Sequence, residues 1–534
     1  MRTKFQIKNK ELVILSVIFI AGTLLRFFRL SYQSIWIDEF CTARFAANKD
    51  LFLVFWDVMA RDMHPPTFYM LEHLFCGIFG YSEFTLRFLP FIFGTASMFV
   101  FYRLVRAFFS AETSLIAAAL FCLNPYQIYY AQEGRSYSMF LLVTLLMTYY
   151  FLMSIKYNTF MAGPFIFWSI MGIYTHAFAV ILLIVMNAVY LIGYRDELRP
   201  HLWLKAQVII ALFLLPLFPF FLKGSAAESY YENRQMLLAP FYSLKNYIFG
   251  ITFDWNFMTL MLFIAALYLI IIGTFTYRQK SAKITMIIFL ISAGFMMFPW
   301  LISVLLGKAI YSERTFILVS ALVLVLLAVG ISYLSMQGKA LAMTVMLLIY
   351  GTALYNYYFV EKYQKSLYKS QYQELVKEFK PGDIIIHSNT ASYTSFEFYS
   401  RYEYRVNLPN RMLDVIPEFH GSGLRFKIRE LWRQFKEEVL KKKFGLEIYA
   451  GFDKNIITPE QAMNVHKDYD RIWFVSDNVT GTKQPWMPIG NMWASELDLR
   501  KPVDPLALPW VNRYYKPVKV EKFFADDIYL LERK

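Results

Sequence analysis

The sequence predicts a polytopic α-helical membrane protein followed by a smaller soluble α/β domain, and three observations carry that prediction. Fifty-seven per cent of the 534 residues are hydrophobic, Phe alone accounts for 52, and the mean hydropathy is +0.38. Such a composition belongs to chains that meet lipid rather than water. The charge is also unevenly spread: 42 Asp, Glu, Lys and Arg fall in the first 359 residues and 52 in the last 175. Finally, about eleven apolar runs near the length of a bilayer-crossing helix fill the first part. Residues 1–359 therefore read as a transmembrane domain and 360–534 as a soluble one.

The runs lie at 12–30, 86–105, 113–130, 137–155, 160–175, 177–194, 204–222, 257–276, 284–305, 315–334 and 339–359, with 11–13 spans the range the pattern allows. The first ends in Arg26-Phe27-Phe28-Arg29 rather than in small residues, so it reads as an anchor and not a cleaved signal. With a cytoplasmic N-terminus, Arg2, Lys4, Lys8, Lys10, Arg103, Arg106, Lys156, Arg195, Arg199, Lys205, Arg278, Lys280, Lys283 and Lys339 share one side. That excess of short-loop Lys and Arg marks the inner face. The long connections 31–85 and 223–256 and, with an odd span count, the C-terminal domain then lie outside the cytoplasmic membrane. The net charge of +14 comes from these loops and the tail, so it does not point to nucleic acid.

The soluble part mixes signals. Residues 363–380 have helical spacing and stop at Pro381-Gly382; 383–387 and 471–475 read as buried strands; 424–443 reads as a strongly basic helix. Alternation suggests a Rossmann-like or three-layer unit, but without a Gly-rich nucleotide fingerprint. His387 reads as structural. Three cysteines exclude a disulfide framework or a Cys-based zinc site, though Cys41 and Cys76 could pair.

The chemistry-bearing residues gather on the outer side. Asp38-Glu39 follows the first span directly, where a carboxylate pair can meet a substrate with a lipid tail and polar head; capping a helix or binding nearby arginines is the plainer role. The same long loop carries Asp57, Arg61, Asp62 and His64, the last followed by the rigid Pro65-Pro66. Span three ends in Asn124-Pro125-Tyr126-Gln127-Ile128-Tyr129-Tyr130-Ala131-Gln132-Glu133-Gly134-Arg135-Ser136-Tyr137, span five in Tyr174-Thr175-His176, and Lys308, Glu313 and Arg314 precede span ten. Ionisable groups at such places usually face a cavity or a functional path. Asp62, His64 and His176 contain the residue types of a divalent metal site, but their spacing is not diagnostic. Loop 223–256, with Tyr230, Tyr231, Glu232, Asn233 and Arg234, reads equally as a site cover and as a segment lying on the membrane through Phe241, Tyr242 and Tyr247.

In order, Leu25-Arg26-Phe27-Phe28-Arg29-Leu30, Ser34-Ile35-Trp36-Ile37-Asp38-Glu39, His64-Pro65-Pro66-Thr67-Phe68-Tyr69, Ser82 to Pro90, Asn124 to Tyr137 and Tyr174-Thr175-His176-Ala177-Phe178 form a pattern. It resembles the bacterial protein O-mannosyltransferase-like glycosyltransferases of the GT-C class, which also contains the aminoarabinose transferase that modifies lipid A. A weaker echo occurs at Tyr311-Ser312-Glu313-Arg314-Thr315-Phe316. The resemblance implies inverting transfer from a polyprenyl-phosphate sugar to an acceptor hydroxyl on an envelope glycan, lipid or protein. It makes Asp38 the candidate base and Glu39 its helper.

A phosphate leaving group needs positive charge more than a proton, and the arginine fork suits it. Arg135, Arg314 and Arg87 are the candidates in that order, with snorkelling at the interface the plainer role of Arg87. Asp62, His64, Glu133, Tyr137, His176 and Glu313 are then candidates for sugar or acceptor. No cofactor is required, and a divalent metal on Asp62, His64 and His176 stays open. A flippase of lipid-linked sugars is the rival reading, yet it should show internal repeats and polar groups at mid-membrane. An oligosaccharyltransferase of the same class would carry a Trp-Trp-Asp-like string, which the tail lacks.

Overall fold

The computed structural model describes residues 9–193, 199–218, 220, 237–275, 282–306, 310–365, 367–387, 390–403, 412–415, 456–457, 469–477, 509–522 and 526–534. These divide into two compact units, one holding residues 9–33 and 41–365, the other 34–40 and those from 367 onwards.

Among the described residues every regular element of the first unit is a helix. Seven of its described segments have the length and composition to cross a membrane: Glu83–Phe108, Tyr137–Lys156, Pro200–Leu217, Phe257–Phe275, Ala282–Leu306, Glu313–Ser332 and Met336–Phe359. The other four expected runs are helical but less simple. Helix α1 (Asn9–Phe27) carries Lys10, Glu11 and Arg26. The run 113–130 is two helices, α6 (Ala111–Leu123) and α7 (Pro125–Ala131). Helices α9 (Ala162–Thr175) and α10 (Ala179–Gly193) are short and joined through His176.

The break in the third run is written in Asn124-Pro125. Proline has no N–H to continue α6 and suits the first position of α7. Asn124 caps that new helix, its Oδ1 accepting from Gln127 N at 3.1 Å while its Nδ2 donates to Tyr247 O and Tyr350 Oη, both at 3.0 Å. Arg26, fully buried, closes the other side of the break: its Nη1 donates to Gly22 O at 2.9 Å and to Cys122 O, in the last turn of α6, at 2.6 Å. A cation is favoured at that negative helix end.

The connection 31–85 is not open loop. It folds as α2 (Ile37–Ala46), α3 (Leu51–Arg61) and α4 (Thr67–Phe79), with Asp50 capping α3 and Ser82 capping the next helix, α5 (Glu83–Phe108). Helices α8 (Tyr137–Lys156) and α11 (Pro200–Leu214) follow in chain order. Of the connection 223–256, residues 230–234 lie outside the described residues, while α12 (Ala239–Phe249) is a packed helix. Then come α13 (Phe257–Phe275), α14 (Ala282–Leu306), α15 (Ile317–Ser332) and α16 (Met336–Phe359).

Helix α15 is apolar on every side and is the buried centre of the unit, as such a pattern requires. It meets α13 backbone to backbone: a Cβ at Gly330 would sit 2.0 Å from Leu269 O, and one at Gly273 2.4 Å from Leu326 O. Small residues permit that approach. None of the three cysteines is in a disulfide, so Cys41 and Cys76 are not bonded to each other; Cys76 Sγ instead donates to Glu72 Oε2 at 3.6 Å.

The second unit is a sheet domain, entered through α17 (Tyr368–Glu378). Among the described residues its strand order is β3-β2-β1-β4-β6-β5, where β1 is Ile384–His387, β2 Met412–Val415, β3 Ile456–Ile457, β4 Arg471–Asp477, β5 Tyr515–Lys522 and β6 Asp526–Arg533. The first four are parallel; β6 and β5 add antiparallel, and Pro517 sits at the β5 edge beside a register shift. Strands 383–387 and 471–475 are thus where expected, while the basic segment 424–443 lies outside the described residues. His387 is buried with Nδ1 3.1 Å from Ser392 Oγ.

Residues 34–40 are counted in this second unit. Ile35 N donates to Tyr399 Oη at 2.9 Å, Ser395 Oγ donates to Ile35 O at 2.9 Å, and Lys369 N donates to Ser34 Oγ at 3.1 Å.

Candidate functional site

Four chain turns in the first unit bring their polar side chains together. Asp62 ends α3, its own N–H bonded to Val58 O at 2.9 Å. The chain then doubles back, so that Asp62 Oδ1 accepts from His64 N at 2.7 Å and lies 2.9 Å from His64 Nδ1, before Pro65-Pro66 stiffens the entry to α4. From the turn between α7 and α8, Arg135 Nη2 lies 3.0 Å from the same His64 Nδ1, and its Nη1 reaches Thr42 Oγ1 at 3.4 Å. Thr42 in turn donates to Gly134 O at 2.8 Å, fixing the turn that carries the arginine. The Tyr69 ring lies 5.8 Å from the guanidinium.

His176, at the end of α9, completes the group. Its ring centroid is 5.1 Å from that of His64 and stacks on Phe140 at 4.8 Å. Tyr137 stands 6.3 Å from both imidazoles, with the Arg314 guanidinium 5.6 Å from its ring. The structure thus collects Asp62, His64, Arg135, Tyr137, His176 and Arg314 around one buried spot.

The electrostatics follow from burial and these neighbours. Burial pushes the Asp62 carboxyl upward, but its hydrogen bonds with His64 and the charge of Arg135 outweigh that and hold it well below the usual range. Burial, reinforced by Arg135, lowers the His64 imidazole, and burial with His64, Arg135 and Arg314 lowers His176 well below its ordinary value. Both imidazoles are therefore neutral beside two permanent cations. His64 Nδ1 faces a carboxylate and a guanidinium at once, and it can donate to the first or accept from the second, never both.

Glu313 begins the short turn into α15 and is gripped from α12. Asn246 Nδ2 lies 3.1 and 2.9 Å from its two carboxylate oxygens, and Ser243 Oγ 3.5 Å from one of them. Its backbone carbonyl accepts from Tyr247 Oη at 2.8 Å and Tyr126 Oη at 3.2 Å. Behind Asn246, Lys245 Nζ donates to Asn246 Oδ1 at 2.8 Å and Gly250 O at 3.3 Å. Burial lowers this lysine to about 8, against the opposing pull of Glu313 and Asp254. Sequence reading passed over Ser243, Lys245 and Asn246; a lysine and an amide inside an aromatic, apolar stretch were the signal.

The remaining candidates are Arg87, Glu133, Asp38 and Glu39. Arg87 is buried and spends Nη1 on Leu30 O at 3.1 Å and Gln33 O at 2.7 Å, which holds the chain leaving α1. Glu133 is buried in the turn before Arg135. Asp38 is half-buried and Glu39 fully buried, both in the first turn of α2, where the helix end favours carboxylates.

His176, as it is held here, does not present a metal ligand. His176 Nδ1 accepts a backbone N–H, from Phe178 at 3.2 Å, so the neutral ring holds its proton on Nε2 and offers a metal no lone pair. Among the described residues no set of three or more His, Cys, Asp or Glu is arranged to hold a metal ion.

Residues 63–220, which contain His64, Arg135 and His176, match the model of the dolichyl-phosphate-mannose-protein mannosyltransferase family. A search of curated proteins finds no match. Among solved structures, ArnT from Cupriavidus metallidurans bound to undecaprenyl phosphate superposes with a TM-score of 0.55 at 11% identity, over 96% of this chain and 97% of that one. Its apo state gives 0.54 at the same identity and coverage. The chain is a multi-pass membrane protein with the fold of the GT-C glycosyltransferases.

Proposed function

We propose that this protein is an inverting glycosyltransferase that moves a sugar from a polyprenyl-phosphate donor to an acceptor hydroxyl on the outer side of the cytoplasmic membrane. The observation that carries the reading is the convergence of Arg135 and Arg314 on two neutral histidines in a buried site. Fixed cations in a poorly solvated place stabilise charge that appears on a departing phosphate. The mannosyltransferase match over residues 63–220 and the likeness to an ArnT that binds undecaprenyl phosphate support the choice of donor.

In this mechanism the acceptor hydroxyl attacks the anomeric carbon while Asp38 takes its proton, with Glu39 as a hydrogen-bonding helper. The carbon–oxygen bond to phosphate breaks, and the phosphate leaves with the electron pair toward Arg135 and Arg314. Glu133, Tyr137 and Glu313 line up sugar and acceptor. Arg87 contributes by holding the chain after α1, through Leu30 and Gln33. A glycan or lipid acceptor is favoured over protein, and the sheet domain shares the outer side with the site.

The test is release of polyprenyl phosphate from a panel of polyprenyl-phosphate sugars by reconstituted protein, with an envelope extract as acceptor. Acceptor-dependent release is expected, falling roughly 10²–10⁴-fold in Asp38→Asn. Movement of intact lipid-linked sugar across the bilayer, with no release from any donor, would overturn the enzyme reading in favour of a flippase.

A further inference from the structure

We infer that His176 is a fixed, uncharged hydrogen-bond donor to the phosphate of the lipid-linked sugar, a third arm beside Arg135 and Arg314. The inference rests on the glycosyltransferase reading and adds a ligand atom and a protonation state to it. It begins with one contact. The backbone N–H of Phe178 donates to His176 Nδ1 at 3.2 Å. An amide N–H has no other role, so Nδ1 must present its lone pair and the neutral imidazole must carry its proton on Nε2.

The other edge of the ring is where the chemistry lies. His176 is 3% exposed, and its Nε2 has no hydrogen-bond partner among the described residues. A buried donor without an acceptor is costly and in a native protein calls for an explanation. The ring cannot easily turn away, because Phe140 stacks on it and His64 and Phe178 meet it edge-on at 5.1 and 5.5 Å. What it lacks is an acceptor, and the groups electrostatically coupled to it include both Arg135 and Arg314. Both guanidiniums bear on this ring, so an anionic oxygen is a stronger acceptor there than a sugar hydroxyl. A metal would need the Nε2 lone pair, and so the loss either of the ring proton or of the Phe178 bond.

The experiment is binding of undecaprenyl phosphate, which has the phosphate and no sugar, to the full-length protein in lipid nanodiscs. His176→Phe keeps a flat ring against Phe140 and removes the donor; it should weaken binding roughly 10- to 100-fold, the range for one hydrogen bond to a charged group. His176→Gln restores an N–H near the Nε2 position and should recover most of that loss. Nitrogen-15 spectra of histidine-labelled protein, with the His176 signal assigned by its loss in His176→Phe, should show the Nε2–H tautomer before lipid is added. They should show that nitrogen shifting on addition.

Unchanged binding in His176→Phe would overturn the inference. So would weakened binding of the sugar donor with normal binding of undecaprenyl phosphate, because the donor would then reach the sugar. Equal losses in both variants at unchanged melting temperature would assign His176 a shape role and refute it as a donor. Binding abolished by a chelator would place a metal there instead. Failure of the wild type to bind or release any polyprenyl phosphate is a different result, which removes the glycosyltransferase reading itself.

Discussion

The grip of Asn246 on Glu313 can be dissected quantitatively. Glu313 offers a half-buried carboxylate whose two oxygens lie 3.1 and 2.9 Å from a single amide nitrogen, with Ser243 at 3.5 Å the only other hydrogen-bond contact to those oxygens among the described residues. Asn246→Leu keeps the volume but removes the donor and also takes Oδ1 from Lys245 Nζ. A hydrogen bond to a charged group contributes about 1.5–3 kcal/mol, and an oxygen left buried without a partner adds further cost, so a loss of about 2–4 kcal/mol is expected. Glu313→Met should cost about 1–3 kcal/mol, because it strands the amide rather than a charge. The double variant should cost less than the sum of the two by about 1.5–3 kcal/mol. SDS-driven unfolding of the four proteins in mixed micelles measures this coupling. A coupling under about 0.5 kcal/mol, the level seen for independent sites, would refute the view that α12 holds Glu313 in place.

Two further outcomes probe the scaffold. Gly330→Ala should destabilise by at least about 1–3 kcal/mol, since its Cβ would fall 2.0 Å from the Leu269 carbonyl and force α13 from α15; Gly351→Ala, with nothing within 4 Å, should instead stabilise by up to about 1 kcal/mol, and chemical unfolding separates the two signs. For Lys245, lowered from 10.5 to about 8, the unfolded chain binds a proton that the native state does not between those values, so wild-type stability should rise across pH 8 to 10.5 by about 3 kcal/mol, and Lys245→Met should lose that slope.

Much of this was legible in the residues because lipid demands long apolar runs and punishes stray charge. Every expected run proved helical in its described residues, and Asp62 and His64 in the first long outer loop, with Arg135, Tyr137, His176 and Arg314 at span ends, stood out as polar groups scattered over 253 positions of sequence. Sequence reading misses the Asn124-Pro125 break, because the run 113–130 goes straight across it, although a proline that cannot continue a helix and the polar Asn124 and Gln127 are its signal. Other features depend on tertiary contact alone. That Arg87 spends an arm on the chain after α1 depends on which carbonyls come within reach, and nothing in its own segment announces Leu30 or Gln33. The tautomer of His176 is set by a backbone amide two residues on, through a turn geometry that spacing does not encode. Cys41 and Cys76 share a loop by sequence but not a bond, and the Cys76 thiol is turned to Glu72 of its own helix.

The anchoring of residues 34–40 has a consequence for how the chain comes into being. Ile35 is bonded to Ser395 and Tyr399, 360 and 364 positions away, and Ser34 to Lys369, 335 positions away. At roughly 5–20 residues per second, a ribosome needs about 20–70 s to supply those partners after the acidic pair has emerged. Throughout that interval the segment bearing Asp38 and Glu39 lacks the contacts that hold it in the finished protein. A nascent or prematurely terminated chain would enter the membrane with its arginines in place and its acidic pair unset. Synthesis of the C-terminal domain is in that sense the last step in setting the acidic pair, and, on the proposed glycosyltransferase reading, a polypeptide cut short before Lys369 should be inert toward lipid-linked sugars.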